Sequence, residues 1–284
     1  MNYVLLLCLG AIWGSSYMFI RVAVAEVPAL TLVAARLLLA AAILWIALRA
    51  SRRPIPRDRR LWVAYAVMGV LSGALPYTLI SWGEQYIDSS LAALLQATMP
   101  IFTVILAIFL ADDEHLTWTT AFGVAIGFAG VVVLMLPDLR DGLHADLLGQ
   151  FAIVGASVSY AAAAIFARNR LRGEAPLSST MGQMTMGALF TIPLSLIIDR
   201  PFPLSPSAQA VLSWLGLTIL GTVLAYIIYY ALIDRTSATF VSTVTYIIPI
   251  VGLTLGALVL DEPVTANLLI SAALIIAGVL LIRA

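Results

Sequence analysis

The sequence predicts an all-α polytopic membrane protein: ten transmembrane helices forming two inverted five-helix repeats, with the N- and C-termini in the cytoplasm. Three observations predict it: a composition too apolar for water, ten apolar stretches of spanning length, and a lopsided distribution of arginine. Of 284 residues, 62% are hydrophobic and 11% charged, with a mean hydropathy of +1.04. A soluble domain carries roughly 25% charged residues, so this chain lacks the polar surface to cover a water-soluble globule. Net charge is zero, and all fifteen basic residues are arginine. We attribute the absence of lysine to GC-rich bacterial codon usage. A single cysteine, Cys8, excludes a disulfide framework and a cysteine metal cluster; its expected role is that of a small buried hydrophobe.

A helix needs about 20 apolar residues to cross the hydrocarbon core. Spans are expected at about 3–21, 29–48, 61–82, 90–110, 118–136, 147–167, 176–197, 208–232, 238–259 and 265–282, joined by short connections. The first segment lacks a basic leader and a cleavage site, so it is read as a retained helix and not a signal peptide. With ten spans, Arg49, Arg52, Arg53, Arg57, Arg59, Arg60, Arg168, Arg170, Arg172, Arg235 and Arg283 fall on one side. The other side holds Arg21, Arg140 and Arg200. Arginine accumulates on the cytoplasmic side, which places both termini there. Trp45, Trp62, Trp118 and Trp214 fall near span ends, where indoles favour the headgroup region.

The two halves match in order. Leu75–Tyr77 aligns with Leu224–Tyr226, and Pro100 with Pro249, at an offset of 149. Asp113-Glu114 aligns with Asp261-Glu262, and Phe128–Val131 with Ile276–Val279, at 148. Phe19 and Arg21 pair with Phe166 and Arg168 at 147. The expected units are 1–140 and 141–284. Five spans per unit is an odd number, so the second enters the membrane from the opposite side. Inverted repeats place a transporter's site at their interface near the midplane.

Two five-helix units, Trp13–Ser16 as Trp-Gly-Ser-Ser, Arg36 early in the second span, and Met99-Pro100 followed by an acidic pair and a final Gly-Val resemble the drug/metabolite transporter superfamily. The likeness is to the EamA-type exporters, which include the YddG-like aromatic amino-acid exporters, and it covers the whole chain. Tyr160 stands where the repeat would put a second tryptophan. The resemblance implies a multi-pass transporter of a bacterial cytoplasmic (inner) membrane. It would export amino acids or similar metabolites by alternating access, through a central cavity lined by the third, fourth, eighth and ninth helices.

The residues themselves locate the pathway. Pro100 and Pro249 sit roughly 15 Å into their spans, near the bilayer centre. Each proline frees the carbonyl four residues earlier, at Gln96 and Thr245, and such groups must face protein, water or solute. Tyr77 and Ser81 share a helix face, as do Thr222, Tyr226, Tyr229 and Tyr230. The expected pathway residues are Tyr77, Ser81, Gln96, Pro100, Tyr226, Tyr230, Thr245, Tyr246 and Pro249, with Trp13 and Tyr160 at the cavity edge. Gly10/Gly14, Gly69/Gly73, Gly123/Gly127 and Gly252/Gly256 have GxxxG spacing and mark close helix approach.

No Asp or Glu lies near a span centre, whereas a proton-coupled pump for cations needs such a buried carboxylate. Neutral, zwitterionic or aromatic solutes moving down a gradient fit better. Arg36, inside the second span, has two readings: a structural one, snorkelling outward or binding a helix-end carbonyl, and contact with a substrate carboxylate. Catalysis is not expected, because His115 and His144 lie in loops on opposite sides without a tuned partner. No cofactor, metal or nucleic-acid partner is expected. The partners are the bilayer and a small solute, handled by a monomer; nucleosides, sugar-like metabolites and drugs stay open as alternative cargo.

Overall fold

A computed structural model describes the chain except residues 53–54, 111–116, 142–143, 234, 237 and 283–284, and the side chains of Leu110, Asp141, Tyr230, Ile233, Ala238 and Thr239. The described residues are helical, with no strand among them. The spans are α1 Asn2–Val24, α2 Ala29–Ala50, α3 Arg59–Gly83, α4 Ser89–Phe109, α5 Trp118–Arg140, α6 Ala145–Arg170, α7 Pro176–Asp199, α8 Ala208–Tyr229, α9 Phe240–Val259 and α10 Ala266–Ile282. The first nine are long and apolar enough to cross a membrane, and α10, with 17 residues, is shorter. All ten fall where the hydropathy of the sequence puts them. Asp113-Glu114, His115, Arg53 and Arg283 lie outside the described residues.

Capping chemistry explains where the helices start. Asp58 accepts from the Arg60 N–H at α3, Ser207 accepts from Ala210 N–H at α8, and Pro176 opens α7. On the outer side, carboxylates from distant loops do the same work. Glu26, after α1, accepts from the Ser207 N–H and hydroxyl, both at 2.6 Å. Asp199, ending α7, accepts from the Thr31 N–H at 2.7 Å in the first turn of α2. Glu262, after α9, accepts from the N–H groups of Ser89 at 2.8 Å and Ser90 at 2.9 Å, which open α4. An anion at a helix N-terminus satisfies free donors and complements the helix dipole.

The packing has a two-fold pattern. α1 lies against α8 and α9, and α6 lies against α3 and α4; α2 pairs with α7, and α5 with α10. Small residues allow the closest approaches. A Cβ on Gly123 would meet the Gly278 carbonyl at 2.7 Å, and one on Gly14 would meet Val251 at 2.6 Å. The outward faces carry Leu7, Ile46, Phe109, Phe122, Ile197 and Leu258, all exposed to the lipid. Cys8 joins them: it is exposed and not a buried core residue as the sequence reading had it, because α1 turns Leu6 and Leu9 inward instead. Trp118 is exposed at a span end, whereas Trp45 donates to Thr185 and Trp214 packs on the core.

Two helices that flank the centre are irregular at matching places. In α3, Gly69–Ala74 winds as a π-helix, and in α8, Ile219–Leu224 does the same. In α3 this relieves Pro76, which has no N–H to donate; Leu75 N–H reaches back to the Val70 carbonyl. π-Segments of this kind recur at functional sites. The described part of α4 also breaks, between Ser89–Gln96 and Met99–Leu110. At the break, Thr98 N–H bonds to Leu95 and Ile101 N–H to Thr98, at three-residue spacing. A similar interruption at Thr243 separates Ala238–Ser242 from Val244–Val259 in α9.

Candidate functional site

Together these irregular helices enclose a central cavity of about 650 Å³. Every span except α5 lends it a residue among those described, a broader wall than the four helices the resemblance implies. Towards the cytoplasm the lining reaches Ala167 of α6 and Ile282 of α10; towards the outside it ends at Ile20, Ile80 and Ala97. The chamber thus runs from near the outer ends of α1 and α3 to the cytoplasmic ends of α6 and α10.

The sequence-predicted residues divide in three. Trp13, Tyr77, Gln96, Pro100, Tyr160, Tyr226 and Thr245 all line the cavity. Ser81, Tyr246 and Pro249 do not: Ser81 is buried one helical turn outward of Tyr77, Tyr246 donates to the Val279 carbonyl of α10 at 3.4 Å, and Pro249 faces a small cleft with Leu94 and Ala272. Tyr246 and Pro249 lie on α9 beyond its interruption at Thr243, and Ser81 lies on α3. The Tyr230 side chain lies outside the described residues.

Aromatic rings form one wall. Trp13 lies 6.3 Å from Tyr226, edge on, and 5.7 Å from Tyr229, while Tyr226 and Tyr229 are 6.4 Å apart. These separations suit edge-to-face packing. Arg36 lines the same cavity although only 4% of its surface is exposed. It neither snorkels nor binds a helix end. Its Nε donates to the Thr222 hydroxyl at 2.9 Å, and its guanidinium carbon lies 3.8 Å from the centre of the Tyr77 ring. Among the described residues no carboxylate comes within ion-pair distance of it. A cation over a ring gains about 2 kcal/mol when desolvated. Removing an ion from water costs several kcal/mol, more than that contact supplies.

Arg36 has a counterpart. Gln183 of α7 also lines the cavity and accepts from the Ser72 hydroxyl at 2.9 Å. Each pair joins α2 or α7 to a π-segment: Thr222 lies in that of α8, and Ser72 in that of α3. Arg36 and Gln183 are 147 apart in sequence, the offset that also relates Trp13 to Tyr160. Tyr77 and Tyr226, and Gln96 and Thr245, are paired at 149, and all these residues line the cavity. Sequence reading passed over Gln183 and Ser72. The usable signal was there: Gln183 is an amide in an apolar span at the Arg36 offset. Gln96 lines the cavity and keeps its side-chain carbonyl buried with no hydrogen-bond partner among the described residues.

Away from the cavity, His144 lies 3.6 Å from Asp138 and 3.9 Å from Asp146 at the outer ends of α5 and α6. These groups are partly exposed, and among the described residues no such trio lines the chamber.

Ten apolar helices around a largely apolar chamber that carries a buried arginine and ends beneath the outer surface define a multi-pass membrane transporter. The sequence profile of the EamA-like transporter family matches residues 1–136 and again 147–284. The chain belongs to that family. It is 24% identical over 268 residues to the uncharacterized transporter YoaV of Bacillus subtilis, covering 94% of this chain and 91% of that one. It is 28% identical to the uncharacterized inner membrane transporter YedA of Escherichia coli, covering 88% and 80%. Another Escherichia coli relative, a "probable amino-acid metabolite efflux pump", is 28% identical, covering 97% and 92%. A solved crystal structure of a protein superimposes with a TM-score of 0.70 at 17% identity, over 99% of this chain and 96% of that one, a likeness of fold. The chain is thus an inner-membrane protein of transporter kind.

Proposed function

We propose that the chain exports amino acids with aromatic or neutral side chains, or closely related small carboxylates, by alternating access through the central cavity. The observation that carries this reading is Arg36: a buried guanidinium facing the chamber, with no carboxylate partner among the described residues. A solute carboxylate would supply the missing counter-charge through charge-assisted bonds. The Trp13–Tyr226–Tyr229 wall offers aromatic contact to the solute body, and the free Gln96 carbonyl offers an acceptor to its amino group. The name of the efflux-pump relative points the same way. We read the chain as a carrier and not an enzyme, working as a monomer.

We further infer two five-helix units, 1–140 and 141–284, inserted in opposite directions. This is supported by the double match of the family profile and by the paired cavity residues. Rocking one unit against the other would expose the chamber to each side in turn.

The test is flux in proteoliposomes containing only this protein. Labelled phenylalanine, or another neutral amino acid, should cross, and unlabelled carboxylate solutes should compete. Competition by nucleosides or sugars, with no amino acid able to compete, would overturn the substrate assignment.

A further inference from the structure

The outer end of the chamber holds a carboxylic acid that the transport path does not use. Glu84 directly follows α3, one turn beyond the cavity-lining Ile80. It is 0% exposed, and neither carboxylate oxygen has a hydrogen-bond partner among the described residues. Its main-chain carbonyl, by contrast, accepts from the guanidinium of Arg21 on α1. That bond ties α1 to the end of α3.

The ionisable groups around it are Arg21 and Tyr17 on α1, Arg36 beyond Tyr17 on α2, Asp88 in the loop, Asp146 at the start of α6, and Glu262 after α9. Glu262 accepts from two N–H groups and a hydroxyl at the start of α4. Of these acids, Glu84 alone is fully buried without a hydrogen-bond donor among the described residues. Burial first, and the Glu262 charge second, hold its carboxyl well above the usual range; Arg21 offsets part of this.

We propose that Glu84 is a proton-binding site that couples the outer gate to external pH: the acid is protonated when the gate is sealed, and opening the gate releases that proton outward. The inference rests on the alternating-access reading above. The sign follows from linkage. In the sealed form the carboxyl has a raised pKa, and once the gate opens to water it has an ordinary one. External acid therefore favours the seal, and this advantage fades as pH rises through the raised value. The missing midplane carboxylate rules out a charge exchanged with a cationic solute in the chamber. It leaves room for this separate acid at the rim.

Spin-label distances test the proposal without any solute. Full-length protein in lipid nanodiscs, carrying Cys8→Ser, Gln85→Cys and Val264→Cys, places labels at two exposed positions flanking the gate. A single short distance is expected at acid pH, with a longer one growing in as pH rises. Glu84→Gln should hold the short distance throughout. Glu84→Met, neutral and of similar size, serves if the glutamine variant fails to fold. A pH-invariant distance in the parent protein, or an unchanged titration in a folded neutral variant, overturns the proposal. Amino-acid flux in the same preparation separates the two readings: flux with a pH-invariant gate sinks this one, and a titrating gate without flux of any carboxylate sinks only the substrate assignment.

Discussion

Arg36 with Thr222 and Gln183 with Ser72 are the same structural device built twice. A long polar side chain on α2 or α7 meets a hydroxyl in the π-segment of a helix from the other half. Geometry repeats while chemistry does not. The amide is neutral and satisfied, so its cost is small. The guanidinium is charged, and its neighbours supply one hydroxyl and one ring face. The difference teaches that the chamber is two-fold in shape and one-sided in charge, which gives a solute a direction to lie in.

The largest effect should come from removing that one-sidedness. Arg36→Gln makes α2 match α7 and deletes a charged hydrogen-bonding partner, an interaction of about 1.5–3 kcal/mol. Apparent affinity for a carboxylate solute should fall on the order of 10–100-fold, read as the competition constant in proteoliposomes. Solutes lacking a carboxylate should lose much less. An equal loss for both kinds would mean that Arg36 serves packing alone.

A smaller effect is expected at Thr222→Val, which keeps the shape but removes the acceptor that aims Arg36. About 1 kcal/mol is at stake, so roughly a fivefold rise in KM should appear with little change in maximal flux. A collapse of flux at saturating solute would instead assign Thr222 to the conformational step.

Ser72→Ala should be mildest. Its hydroxyl also bonds to the Met68 carbonyl of its own helix, so the helix stays satisfied when it goes, and only Gln183 loses a partner. Flux within about twofold of the parent, and a melting temperature within a few degrees, are the expected readings. If Ser72→Ala and Thr222→Val proved equally damaging, the two pairs would be equivalent and the charge unimportant.

How much of this was legible in the sequence depends on the kind of signal. The ten spans and their orientation came from hydropathy and arginine placement, properties that lipid imposes on every residue of a helix. Tyr77, Gln96, Tyr226 and Thr245 could be placed because the offset of 149 and the midplane prolines mark helix depth. Depth does not fix rotation. Pro249 and Tyr246 share the right level but meet a small cleft and the Val279 carbonyl of α10, while Thr245 beside them lines the chamber. Arg36 was visible as the one charge inside a span. Which way it pointed depended on the Thr222 hydroxyl of α8, 186 residues away. Glu84 read as a loop residue at a span end, and only packing shows it to be buried beside the exposed Gln85 and Tyr86.

The capping carboxylates of the outer rim have a further consequence, in the timing of the cycle. Glu26, Asp199 and Glu262 each fasten the start of one helix to a loop from a distant part of the chain. Parting that rim means exchanging several charged hydrogen bonds for water, while the described cytoplasmic ends carry no comparable set of long-range caps. The slow event in each turnover should therefore be the opening of the outer face and not the arrival of solute from within. At saturating solute, turnover should rise more steeply with temperature than binding does, and easing one clasp by Glu26→Gln should flatten that slope.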